Sequence, residues 1–236
     1  MVEGMRVLVA CEESQAVTKV CREHGIEAYS CDLLECSGGH PEWHIQGDVI
    51  PLLDGCCEFR TMDGIAHQID NRWDAIIAFP PCTKTSNAGA RHLYRGGKLN
   101  LQRYFEGMCG LAFLQTIFHA DCDTIVIENP TPSKVFGFPK PFCSTQPYHH
   151  GHPFTKLTHF WCKGVKDQLK PTNIVQADRT WCPSGSYSGR HGEQHKGMFT
   201  TDRAKNRAKT FDGVARAIVA QWLLPIREDT NGHQTD

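Results

Sequence analysis

The chain has 236 residues, 40% of them hydrophobic and 22% charged, with a formal net charge of −1. That length and balance exclude a disordered or fibrous protein and suit one complete α/β core. No apolar run approaches membrane-spanning length and residues 1–5 lack a signal-peptide pattern, so a cytoplasmic protein is expected.

In chain order, residues 6–11 (Arg-Val-Leu-Val-Ala-Cys) read as a first strand. Ser14 is placed to cap a helix over residues 15–24 that Gly25 ends, and residues 26–32 form the next strand. This β-α-β order demands a parallel pair with a right-handed crossover. Residues 73–79 form a third strand, stopped by Pro80 and Pro81. A helix over residues 99–119 carries Leu101, Phe105, Met108 and Ala112 on one face, expected to pack on the sheet. Strands follow at 125–129 and 157–162, separated by a Pro-, Gly- and Phe-rich stretch (130–153) that suits an ordered loop over a site. The last helix begins at Asp212, a predicted N-cap, with Val214, Ile218 and Trp222 on one stripe. The alternation predicts an α/β fold, a Rossmann-like, doubly wound, mostly parallel sheet, in a single domain over 1–227 with a flexible tail at 228–236.

Two strand ends carry chemistry. Cys82 follows Pro80 and Pro81, which stop the ladder and hold the thiol at the carboxyl edge of the sheet, where ligands of open α/β folds gather. Glu128 arrives where the 125–129 run stops, followed by Asn129 and Pro130. A nucleophile and an acid at neighbouring strand ends form a candidate site.

Pro80-Pro81-Cys82 and Glu128-Asn129-Pro130 resemble the two central motifs of the DNA (cytosine-5) methyltransferases. The chain looks like a small, divergent member, of a size that suits a phage or prophage gene. The resemblance implies that Cys82 adds to carbon 6 of an extruded cytosine, that Glu128 holds the ring and that Asn129 steadies the Glu128 loop. Carbon 5 then takes a methyl group from S-adenosylmethionine, one hard step being split into two easier ones. It also implies a cofactor pocket. Ala10, Cys11 and Glu12 occupy the place of the family's glycine-rich loop but contain no glycine. Asp32 matches the carboxylate that holds ribose hydroxyls, Asp48 the one that faces the adenine amine, and Pro80 borders the same pocket. A strand-terminal aspartate also caps turns, which is the other reading of both.

DNA is the implied partner. Residues 83–89 resemble the mobile catalytic loop, and Lys84, Ser86, Arg91, Arg95 and Lys98, with Arg103, form a stretch without an acid that is suited to phosphates. Lys156 keeps one cationic position of a strand that carries paired arginines in the family; Thr158 stands at the other. Residues 211–222 resemble the closing helix, preceded by Arg203 and Arg207 in a basic run. Residues 163–212 stand where a target-recognition region belongs and form a reduced one. Charge follows the same division: residues 1–82 hold 14 acids and 5 bases, the remaining 154 hold 12 and 20. No metal site is expected although cysteines and histidines crowd 143–195, because no C-x-x-C pair occurs anywhere in the chain. Two other readings stay open: a free pyrimidine nucleotide as substrate for the same cysteine addition, and a catalytically retired methyltransferase fold that binds nucleic acid or nucleotide.

Overall fold

Strand β1 (Arg6–Ala10) is apolar after its first residue because both of its faces are covered, Val7 and Val9 entering one layer and Leu8 and Ala10 the other. The computed structural model describes residues 4–181 and 208–226. After β1 come helix α1 (Ala16–Glu23), strands β2 (Glu27–Asp32) and β3 (His44–Gln46), and a hairpin of β4 (Cys57–Arg60) and β5 (Ala66–Ile69). Strand β6 (Ala75–Ala78) leads to a second hairpin, β7 (Tyr94–Arg95) and β8 (Lys98–Leu99), and then to helix α2 (Leu101–Phe118). Strands β9 (Ile125–Pro130), β10 (Cys143–Thr145), β11 (Phe154–Thr155), β12 (Thr158–Lys163) and β13 (Arg179–Thr180) precede helix α3 (Asp212–Ile218), which runs on as a π-helical turn, Val219–Leu223.

Seven strands make the central sheet in the order β10-β12-β9-β6-β1-β2-β3. β1, β2, β3, β6 and β9 are parallel, while β12 runs antiparallel between β9 and β10. The fold is therefore α/β, Rossmann-like and doubly wound, with a mostly parallel sheet. On one face α1 and α3 cover Val7, Val9, Ala28, Ile77 and Phe160. On the other, Leu114 and Ile117 of α2, with Leu52, Phe59 and Trp73, cover Leu8, Tyr29, Ile76 and Ile127.

The expected strands and helices are present with ends shifted by at most two residues. Short elements were not legible: β3, β10 and both hairpins have too few residues to show a period. Two details are corrected. Ser14 does not cap α1; the N-cap position is Gln15, in the left-handed conformation (φ 55°). Asp212 is the first residue of α3 rather than its cap, and His152 Nε2 accepts the Gly213 N–H at 2.9 Å. The stripe of Val214, Ile218 and Trp222 is buried as expected.

Helix α2 presents a different face from the one its large apolar residues suggest. Leu101 is 62% and Phe105 65% exposed, and the buried positions are Gly107, Leu111, Leu114 and Ile117. Two glycines set this orientation. A β-carbon at Gly107 would stand 2.2 Å from the ring of buried Phe136, and one at Gly110 would stand 2.7 Å from Thr85 Cγ2. Gly107→Ala gains about 1 kcal/mol of helix propensity but overpacks a filled contact at about 1–3 kcal/mol. Its urea midpoint should therefore fall, with the denaturant slope unchanged.

Candidate active site

Parallel strands in register bring several chain breaks to one rim. Ala10 pairs with Cys31 and with Ala78, and Ala78 with Ile127, so Cys11, Asp32, Phe79 and Glu128 follow at the same level of the sheet. Pro80 and Pro81 carry no N–H and cannot extend the β6 ladder. Asn129 restores the link: its side chain, 2% exposed, donates from Nδ2 to the Pro80 carbonyl at 3.0 Å. Its Oδ1 is buried without a partner among the described residues. The Glu128 strand end is thus tied to the turn that leads into the partly buried Cys82.

Glu128 stands opposite Phe160 of β12 and is partly buried. Burial pushes its carboxyl above the usual range, while the Lys156 charge draws it back. Thr158, at the position of the second cation in the resemblance, stands opposite Pro130 and donates its hydroxyl to the Lys156 carbonyl at 3.2 Å. Lys156 also donates from Nζ to the Lys209 carbonyl at 3.2 Å, joining the site to the segment that enters α3.

The turn after Cys82 is anchored rather than loose. The Cys82 carbonyl accepts from Thr85 N and Ser86 N, Asn87 N donates to Thr131 O, and Ser133 N donates to Thr85 O. Ser86 and Pro132 form a β-bridge that zips the two strand-end loops together. From α2, Arg103 donates through Nη2 to the carbonyls of Thr83 (2.7 Å) and Gly89 (3.4 Å), and Lys84 pairs with Glu106. Of the expected phosphate-facing residues, Ser86 is therefore buried and Lys84 is engaged, whereas Arg95 and Lys98 are exposed on the β7–β8 hairpin. Arg91 lies in the short helical turn Asn87–His92. Arg203 and Arg207 lie outside the described residues.

The β1–α1 loop keeps a glycine-like backbone without glycine. Cys11 has φ 59° and Gln15 φ 55°, both left-handed, a conformation that costs a non-glycine residue of order 1 kcal/mol or more. Ala10 is wholly buried in the sheet. Glu12 is 3% exposed, and its carboxylate accepts from Val17 N (2.6 Å), Thr18 N (3.2 Å) and Thr18 Oγ1 (2.7 Å). It fills the amino terminus of α1, where orphan N–H groups and the helix dipole attract an anion. Asp32 and Asp48 each spend one oxygen on their own turns, accepting from Leu34 N (2.9 Å) and Ile50 N (3.1 Å). Both lie close enough to Cys11 to add to the burial that raises its thiol. Two carboxylates at adjacent strand ends fit the hydroxyls and amine of an adenosine; the filled α1 terminus does not fit a ligand carboxylate.

The described histidines of the middle region serve the scaffold. His150 bridges Thr145 Oγ1 (2.8 Å) and Thr172 Oγ1 (3.0 Å), burial holding its imidazole down to about 4. Among the described residues no cluster of metal-ligating side chains occurs, and no helix is long and apolar enough to cross a membrane.

No protein-family model and no curated protein sequence matches the chain. Among solved structures it is similar to one assigned as a DNA modification methyltransferase encoded within an E. coli prophage, with 13% identity, a TM-score of 0.42, and 73% of this chain and 52% of that chain covered. It is also similar to a DNMT2 variant from Spodoptera frugiperda, with 14% identity, a TM-score of 0.35, and coverage of 75% and 56%. The chain spans about half the length of each.

Burial pushes the Glu12 carboxyl up to about 7 from an ordinary 4.5. Folding therefore favours its protonated form, and that stability, complete below 4.5, is lost as pH rises through about 7. The difference approaches about 3 kcal/mol. Glu12→Gln lacks this dependence, so between pH 4.5 and 8 the melting temperature of the unsubstituted protein should fall by several degrees more than that of the variant.

Proposed function

We propose that the protein transfers a methyl group from S-adenosylmethionine to carbon 5 of cytosine in DNA. The observation that carries this reading is the Asn129–Pro80 hydrogen bond, which joins a strand end bearing a carboxyl to a turn bearing a thiol. In this reading the Cys82 thiolate attacks carbon 6 of the pyrimidine and breaks its aromaticity. Glu128, raised by burial, holds ring nitrogen 3 and the exocyclic amine as that nitrogen becomes more basic. The Lys156 charge keeps the ionised form of Glu128 within reach. Bound cofactor supplies the electrophilic methyl group, and Asp32 and Asp48 hold its adenosine. Loss of the carbon 5 proton and departure of Cys82 restore the aromatic ring. A cytosine inside a duplex cannot reach these groups, so the base is flipped out at a cost of a few kcal/mol.

DNA as the substrate draws support from the exposed Arg95 and Lys98, with half-exposed Tyr94 beside them, on a hairpin that follows the Cys82 loop. The retired-fold reading draws support from Glu12, which fills the α1 terminus. Calorimetric titration with S-adenosylmethionine, followed by a labelled-methyl assay on DNA and on free cytidine nucleotides, separates the readings.

Cys82→Ser should abolish methyl transfer with fold and cofactor affinity nearly unchanged, because serine is a far weaker nucleophile at neutral pH. DNA containing 5-fluorocytosine should trap an adduct that peptide mapping assigns to Cys82; an adduct on another cysteine would overturn the assignment. Glu128→Gln should lower turnover by about 10²–10³-fold while leaving cofactor affinity within twofold. A loss of affinity with full turnover at saturation would instead place Glu128 in the cofactor pocket.

Residues 163–212 leave little chain to contact base edges, and each bidentate contact gives about 1–3 kcal/mol of discrimination. Methylation should therefore follow a short or relaxed target, and DNA binding should weaken steeply with salt. Replacing both Arg95 and Lys98 by Ala should reduce the slope of log K against log salt by about 2. Sequencing DNA from a methylation-free host and titrations at several salt concentrations check the two expectations.

A further inference from the structure

Resting on the methyltransferase reading, the geometry points to Glu12 as an internal substitute for the carboxylate of the cofactor's amino-acid end, so that this pocket binds an adenosyl sulfonium without using its α-carboxylate. The amino terminus of a helix that follows the first strand of a βαβ unit is a natural anion site, since its first N–H groups have no partner within the helix. Here Val17 N and Thr18 N both donate to the Glu12 carboxylate, and Lys19 N already bonds Gln15 O. The hydroxyl of Thr18 adds a third donor to the same carboxylate.

The loop that carries Glu12 is also held from outside. Ser37 N donates to the Glu13 carbonyl at 2.7 Å, and Gly38 lies so close to Gln15 that a β-carbon on it would stand 2.5 Å from Gln15 Cβ. Gln15, wholly buried, exchanges two hydrogen bonds with the His40 backbone and donates a third to Ser30 Oγ. A ligand carboxylate would have to displace Glu12 from the two amides, while the strap holds the loop that carries it in place. The left-handed Cys11 and Gln15 are the backbone cost of bending the loop so that Glu12 reaches forward to the helix.

The test compares two ligands on the unsubstituted protein by calorimetry: S-adenosylmethionine and its decarboxylated analogue, which keeps the adenosine, the sulfonium and the amine. The analogue should bind at least as tightly, or no more than threefold weaker. A loss of more than threefold would show that the carboxylate is recognised and would overturn the inference while leaving the methyltransferase reading intact. If neither sulfonium binds, the methyltransferase reading falls and this inference with it. A Glu12→Gly variant, shown to be folded by its melting curve, uncovers the α1 amides. It should shift the preference by about tenfold toward the carboxylate-bearing ligand; an unchanged preference in the folded variant would overturn the inference.

Discussion

The hydrogen bond from Asn129 to the Pro80 carbonyl is the contact on which the site depends. Two adjacent parallel strands are held by their ladder only as far as they offer amide groups, and β6 runs out of them at its two prolines. Without a substitute, the Cys82 turn and the Glu128 strand end would move independently. A buried side-chain donor extends the coupling one step past the last backbone pair, and the Ser86–Pro132 bridge extends it further. Thiol and carboxyl are thereby held by elements of one rigid sheet rather than by a loop closing over it, which is what a reaction sensitive to fractions of an ångström requires.

Helix α2 supports the same arrangement from behind. Gly107 and Gly110 admit Phe136 and Thr85, one from each strand-end loop, and Arg103 reaches over to hold two carbonyls of the Cys82 loop. A basic residue that reads in sequence as a phosphate ligand is here a structural tie. The exposed cations are displaced outward to the β7–β8 hairpin, so solvent-facing charge and charge used for architecture are separated along the chain.

Strand ends marked by proline were legible in the sequence because proline acts locally: the missing N–H at Pro80 and Pro81 stops a ladder whatever surrounds it. The stripe of α3 was legible because its large residues face the sheet. In α2 the same reasoning failed, since the contact face is chosen by what presses on Gly107 and Gly110, and a glycine announces no partner. Glu12 was read as part of a cofactor loop because nothing in a linear pattern shows a carboxylate bonding to amides five and six residues ahead. Thr158 was seen as the absence of an arginine; its place beside the Glu128 strand end exists only through the antiparallel register of β12 with β9, which sets it opposite Pro130.

That reversed strand governs how far the rest of the chain can travel. Because β12 starts at the rim beside Glu128 and descends from it, the chain leaves the strand at Lys163 on the opposite side of the sheet. It returns to the rim where Thr172 and Asn173 bond the His149 carbonyl, and it stays there to Arg179 and Thr180, which pair with Phe154 and Thr155. The stretch between these points is consumed by the climb, so any surface built directly after β12 has a short tether. Residues inserted after Thr180, where the chain is already level with the site, would reach it more readily than the same residues added directly after Lys163.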